Sequence, residues 1–428
     1  MFVTTLVRGC VLSLMLSTVN CLPALAEPAP RSTNELVKLA LKQSAELSAL
    51  DKDVTAKQSL ALQAGTLSNP TMELQVSTGS LTGSPEERTA SIGINQELPL
   101  YGKLRLRREA GQYEAEAAGR YRDNAARLLK DEVATLVLDF SLASTRYKLA
   151  TDLVKLNREL VAVAGERFKA GDIPELERNL ATVELARAES RLLEVEREKS
   201  PLRIKIASLT GLNEADINLI NTLSAPKPAP KTRDLVKQAL SARPDFLALK
   251  LERTKTETEY RLAHVEALPN LTAGLFAQWQ RSSVEVGGMS STSSDTQLGL
   301  RLSMPIPVFD RNTAALAAVH ARLDAADSRL VALERTITVE VEAAIARLSS
   351  SERILALLER GIVPQLNENL KLTQEAYRLG EVGILSVIEE QKKFFEVNDS
   401  YLLALHSRSL AFTKLELSVA TELSGGVQ

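Results

Sequence analysis

The sequence is poor in most of what an enzyme or a compact secreted domain would use. Its only cysteines, Cys10 and Cys21, lie near the N-terminus. The rest of the chain therefore has no disulfide framework, no thiol nucleophile and no thiolate metal site. Aromatic residues make up 4% of the chain. That is too few for a thick globular core, and it suits long helices rich in Ala, Leu, Glu and Arg. The three histidines, His264, His320 and His406, are isolated on helical patterns, and no pair stands at ligand spacing. Selective transition-metal coordination is not expected, so no metal ligand is assigned. With 52 basic and 54 acidic residues the formal charge is -2, and no basic surface points to nucleic acid. There is no nucleophile–base constellation, no phosphate-cradling glycine loop and no paired acid/base site. Glu389-Glu390 is more simply a solvated helix face. No catalytic residue and no cofactor is assigned, and the chain is not read as an enzyme.

Long hydrophobic runs are missing as well. After Glu27 no apolar stretch approaches the roughly 20 residues of a membrane helix. Any crossing of a bilayer must then use strands, because only helices and closed barrels satisfy the backbone in lipid. The N-terminus itself reads as a secretory signal over residues 1–26. Arg8 supplies the charge, Val11 to Val19 the apolar segment, and Ala24-Leu25-Ala26 the small-residue site, with cleavage before Glu27. A short membrane anchor and lipidation at Cys21 are the alternatives.

What is present is written twice. ELVKLAL at 35–41 returns as DLVKQAL at 234–240, and GINQELP at 93–99 as GLRLSMP at 299–305. Phe168 to Ile173 (FKAGDI) returns as Tyr377 to Val382 (YRLGEV). The order is the same in both halves, and the offset stays near 200 residues. A Pro-rich linker at 225–231, APKPAPK, cannot be helical and separates a first repeat, 27–224, from a second, 232–428.

Each repeat is predicted to run helix, two strands, very long helix, turn, long helix. Strands are expected at about 71–78, 88–97, 271–281 and 295–304. Met72, Leu74 and Val76 alternate with Glu73, Gln75 and Ser77, and Leu298, Leu300 and Leu302 alternate with Gln297, Gly299 and Arg301. This is period-2 patterning at a length suited to a tilted transmembrane strand. Water-exposed hairpins on a helical body are the plainer alternative. Gly/Ser-rich segments at 79–85 and 286–294 read as outer loops. Four strands cannot close a barrel, and open edges in lipid would leave backbone groups unpaired. Twelve strands from three copies are the simplest closure that leaves a pore. Pro99, Pro305 and Pro307 mark strand–helix junctions. Long helical hairpins are expected at about 103–212 and 312–424, with heptad apolar positions Val133, Phe140, Tyr147 and Val154 in the first, and Leu316, Leu323, Leu330 and Ile337 in the second.

The segments SNPTMELQV, INQELPLYGK, ERFKAGDIPELE, ARPDFLALKLE, LPNLTAGL, MPIPVFDRN and AYRLGEVGILSVIEEQ, in that order, resemble the TolC family of outer membrane efflux proteins over nearly the whole chain. The NP segment and the LPLYGK and PVFDRN junctions look most like its CzcC branch, the outer membrane component of heavy-metal resistance systems. The resemblance implies a mainly α fold with transmembrane β strands: a homotrimer whose 12-stranded β-barrel in outer membrane lipid continues as an α-helical barrel across the periplasm. It implies a periplasmic adaptor and an inner-membrane proton-driven RND pump as partners. A general drug or protein exporter of the same architecture, and a soluble periplasmic coiled-coil scaffold or adaptor, are the competing readings.

In that architecture the turns Gly171-Asp172-Ile173 and Gly380-Glu381-Val382 become the periplasmic tip and the expected adaptor contacts. Asp172, Glu175 and Glu381, with Glu177 nearby, then stand where an acidic ring would attract cations to the tunnel mouth. Helix capping and dipole compensation explain the same carboxylates equally well.

Overall fold

A computed structural model describes residues 31–81, 84–217, 223, 232–287 and 289–423. The signal segment, Cys21 and the 225–231 linker lie outside the described residues.

Each repeat opens with two short helices rather than one: α1 (Thr33–Gln43) and α2 (Ala45–Ala64), then α5 (Thr232–Ala242) and α6 (Pro244–Glu266). The breaks fall at equivalent places. Ser44 is extended and its side chain accepts from the Leu47 N–H at 3.2 Å, which caps α2. Arg243 is extended before Pro244, as the residue preceding a proline prefers to be. Its buried guanidinium grips Asp245 through Nε and Nη2, at 3.1 and 2.6 Å, and also bonds Glu340. Burial alone would raise the Asp245 carboxyl, but the Arg243 partner outweighs it and holds it below the usual carboxylate range.

The strands β1 (Thr71–Gly79), β2 (Ser84–Leu98), β3 (Leu271–Val286) and β4 (Met289–Ser303) form one antiparallel sheet in the order β1-β2-β3-β4. The two repeats thus share a sheet, joined where Ile92 faces Ala277 across β2 and β3. The β3–β4 ladder continues to Val286↔Met289, closed by Gly287 at φ +65°. Much of the segment expected as an outer loop, Ser290 to Ser294, is therefore strand. Serine and threonine in alternating register extend a ladder as readily as they build a loop, provided no proline removes a donor.

From the sheet the chain enters α3 (Lys103–Lys169), 67 residues long and so about 100 Å from end to end. It returns along α4 (Glu175–Thr210). In the second repeat the outgoing helix is interrupted. α7 (Thr313–Leu357) passes through a π-helical turn at Leu358–Ile362 into α8 (Val363–Leu379), and α9 (Ile384–Val419) returns. Pro364 stands just beyond the π turn. It has no N–H to give to the helix ladder, which accounts for the irregularity there. On α3 burial begins with Lys103, Leu106 and Ala110 and includes Val133 and Phe140 further on. It continues through Ala143, Ala150, Val154, Asn157 and Ala164, where the alanines allow close helix approach.

The repeats are joined along α3 and α9 by a ladder of polar pairs. Lys414 meets Asp131 at 2.5 Å, His406 meets Asp139 at 2.7 Å, and Arg146 clasps Asp399 through Nε and Nη2 at 2.6 and 2.7 Å. Each rung lies about two helical turns from the next, so the pairs fix the register of two antiparallel helices. The Arg146–Asp399 clasp is the rung with both partners mostly buried, with side chains 20% and 17% exposed. Asp399→Ala should therefore cost about 1.5–3 kcal/mol, read as a lowered unfolding midpoint of the purified protein. Removing Glu198, 55% exposed and 3.9 Å from the same arginine, should change stability by about 0.5 kcal/mol or less.

Candidate channel wall and helical tip

Two parts of the molecule have surfaces that the single chain does not satisfy. The first is the sheet. Directly paired residues share a face of an antiparallel sheet, so the register sorts the side chains without ambiguity. Leu74, Ile92, Ala277 and Leu298 form one row, and Met72, Ile94, Leu275 and Leu300 the next. Both rows are apolar and open. Val76 is 82%, Leu298 84% and Leu300 79% exposed, a contiguous patch of the kind that marks an interface with lipid or protein. The opposite face has Gln75, Ser91, Gln278 and Gln297 in one row. β1 and β4 are edge strands, each with a line of backbone groups unpaired on its outer side.

The junctions to the helices are rigidly specified. Pro99 follows β2 and Pro305 and Pro307 follow β4, so the ladder stops where the donors stop. α3 and α7 each start from a left-handed residue, Gly102 at φ 74° and Asn312 at φ 59°. Both starts are tied to the end of α6 and the link that follows it. The buried Lys103 donates to the Leu268 carbonyl at 2.5 Å and to Asn270 Oδ1 at 2.6 Å, and Asn312 donates to the Ala263 carbonyl at 2.9 Å. Asn270 in turn donates to Glu97 at 2.6 Å. Burial is the main cause that pushes the Lys103 ammonium below its ordinary value. Lys103 and Asn270 belong to the conspicuous YGK and LPN segments. Nothing in the sequence says that two residues 167 positions apart meet.

The second surface is the far end of the helices. Both turns close with the same pair of bonds. The Asp172 N–H reaches the Arg167 carbonyl and the Gly171 N–H the Phe168 carbonyl, while Glu381 and Gly380 repeat this on Ala376 and Tyr377. Gly171 and Gly380 stand at φ 80° and 82°, the left-handed cap that satisfies the last carbonyls of a helix. Pro174 is the residue just before α4, not part of its first turn. Gly171, Asp172, Gly380 and Glu381 are exposed, but Ile173 is buried and Val382 half-buried in the core of the tip, against Leu160, Tyr377 and Ile384. Glu175 is exposed and accepts from Arg178 at 2.7 Å. Arg178 lies 4.7 Å from the Phe168 ring, and Arg167 lies 4.9 Å from the Tyr377 ring. Burial pushes the Tyr377 hydroxyl up; Arg167 opposes this and Glu177 adds to it. The equivalent residues Leu176 and Leu385, together with Leu379, are 67%, 61% and 76% exposed beside the turns. Sequence reasoning passed over them. The available signal was an apolar residue at the second position of α4 and again of α9.

No group of metal-ligating side chains occurs among the described residues. His406 is taken by Asp139, and His320 lies 3.2 Å from Asp324. His264 and His320 both pack edge-on against the Tyr260 ring, a proximity that their separation in sequence conceals. No described helix is long and apolar enough to cross a membrane.

The sequence profile of the outer membrane efflux protein family matches residues 36–212 and 235–421. The chain belongs to this family. The two matched blocks coincide with the two repeats, and the family consists of channels, not enzymes. The chain is 23% identical over 393 residues to the cobalt-zinc-cadmium resistance protein CzcC of Cupriavidus metallidurans, covering 90% of this chain and 89% of that protein. Among solved structures it is similar to CusC, described for its folding and transmembrane channel formation, with TM-score 0.75, 17% identity and coverage of 92% and 94%. It is likewise similar to the outer membrane protein VceC of Vibrio cholerae, with TM-score 0.71, 17% identity and coverage of 92% and 97%. The strands thus form a segment of a channel wall and the long helices its extension, and the chain serves outer membrane efflux.

Proposed function

We propose that three copies of this chain form a passive conduit through the outer membrane and periplasm, the outer component of a tripartite efflux system that exports heavy-metal cations. The observation that carries the reading is the sheet. One face is apolar and open, the other is polar, and both edges are unpaired. Three such sheets closed edge to edge satisfy every edge, put the apolar faces in lipid and leave a polar lumen. A soluble scaffold would have to keep that apolar face in water. The similarity to a cobalt-zinc-cadmium resistance protein favours metal cations over drugs or proteins as cargo. With no metal-binding group among the described residues, choice of cargo falls to the inner-membrane RND pump, which a periplasmic adaptor links to the exposed glycine turns. Deleting the gene should sensitise the cell to divalent transition metals more than to hydrophobic drugs. Sensitivity to drugs alone would favour the general exporter.

The tips make two further assignments testable. Gly171 and Gly380 are the exposed points of the tip, and Ile173 and Val382 support them from within. Replacing both glycines by Trp should abolish resistance in a complementation assay while trimers still reach the outer membrane. Replacing them by Asn, which tolerates a left-handed backbone, should retain most of it. Normal resistance in the Trp variant would remove the adaptor from this site. Asp172 and Glu381 are exposed carboxylates with room to face a tunnel mouth, whereas Glu175 is already engaged by Arg178. Asp172→Asn with Glu381→Gln should lower the cation preference of single channels in a planar bilayer, and Glu175→Gln alone should change it less. An unchanged preference in the double variant would reduce these carboxylates to helix caps.

A further inference from the structure

On the polar face of the sheet, at the end that leads into the helices, two rows lie side by side: Glu73, Gly93, Phe276 and Gly299, then Thr71, Asn95, Gly274 and Arg301. Glu73 is on β1 and Arg301 on β4, the two outermost strands. In a flat four-stranded sheet these would be about 14 Å apart, since neighbouring strands are separated by 4.7–4.9 Å. Yet Arg301 Nη1 lies 3.0 Å from Glu73 Oε2. The two long side chains meet by reaching across β2 and β3 over the polar face.

The bridge rests on a prepared floor. The Arg301 guanidinium carbon is 5.3 Å from the centre of the Phe276 ring, and Asn95 donates to Glu73 Oε2 at 3.0 Å. Phe276 is the only aromatic side chain among the described residues of the polar face between Thr71 and Ser77 and their partners. It can lie down there because Gly299 has no side chain: a Cβ at Gly299 would come within 2.4 Å of the ring's Cζ. A Cβ at Gly274 would likewise collide with the Asn95 amide. The glycines therefore let large side chains lie along the wall and hold a guanidinium above it. Within these two rows Arg301 is the one basic residue and Glu73 the one acid, with Glu97 one row further toward the helices. Both partners of the bridge are about half exposed, at 49% and 51%. A pair that open contributes little to stability, but any solute crossing that level meets it.

We infer that the Arg301–Glu73 bridge, laid over Phe276 and Asn95, is a constriction that sets ion preference inside the barrel, repeated once per subunit near the barrel's helical end. This rests on the conduit reading above. The physical reason is the proximity of opposite charges in a narrow lumen. Each partner masks the other, so removing either exposes a ring of the remaining sign to the permeating ion.

The test is reversal potential and conductance of purified full-length protein in planar bilayers with potassium chloride. Arg301→Gln should raise the potassium-to-chloride permeability ratio by about twofold or more, and Glu73→Gln should lower it by a similar factor. The opposite signs are the signature, since a bridge that merely braces the sheet would move both ratios alike or neither. Wild-type ratios in both variants, with channels still forming, would overturn the inference. If either variant fails to form channels, Phe276→Leu reads the same site. Loss of the stacking surface should release Arg301 and change conductance, and unchanged conductance and ratio would overturn the inference. Wild-type protein that forms no channel at all would instead sink the conduit reading.

Discussion

The structure depends on a mismatch between the sheet and water. Four strands present an apolar face more than wide enough to be costly in solvent, and two edges whose N–H and C=O groups have no partner in the chain. The patch alone would be an aggregation hazard, and the edges alone a template for uncontrolled pairing. The conduit proposed above answers both at once: lipid outside, further copies at the sides, water within. The rest of the chain is arranged to make that closure productive. The prolines end the ladder on one level, Lys103 and Asn312 tie the new helices to the end of α6 and the link after it, and the Glu73–Arg301 bridge crosses the polar face.

The helices meet a different constraint, that of holding register over about 100 Å with a core only a few side chains thick. Small residues on α3, Ala143, Ala150, Asn157 and Ala164, give close approach but little specificity, because one alanine packs much like another. The cross-helix pairs from Asp131–Lys414 to Arg146–Asp399 supply what the alanines lack. A slip of one turn would separate every charge from its partner and leave some of them half-buried alone. Pro364 and its π turn mark the point where the second repeat departs from the first.

Much of this was legible in the sequence because it is local. Period-2 alternation in Leu74, Val76, Leu298 and Leu300 depends only on adjacent residues, as do the heptads and the glycine turns, and their order in two copies pointed to the fold class. What was hidden is what arises between distant segments. The burial of Ile173 requires Tyr377 and Ile384 from the other repeat. The Arg301–Glu73 bridge joins residues 228 apart and depends on a four-strand order that no single strand encodes. Ser290 to Ser294 have the composition of a loop and the register of a strand, and only the partner Ser282–Ser283 segment decides between them. The helix breaks at Ser44 and Arg243 fall where the sequence pattern predicts a single helix; a serine cap and Pro244 are their local signals, each too common in a helical pattern to mark a break alone.

The account can be tested where it is most exposed, at the environment of the apolar face. Because the chain beyond Cys21 has no cysteine, single replacements Leu74→Cys, Ile92→Cys, Leu275→Cys and Leu300→Cys can each carry one spin label in membrane-reconstituted protein. Relaxation by lipid-soluble oxygen should exceed relaxation by a water-soluble nickel chelate at all four positions, and the order should reverse at Gln75→Cys and Gln278→Cys. Labels on the four apolar positions that respond to the chelate as strongly as those on the glutamines would show that water covers both faces, and would contradict a channel wall built from this sheet.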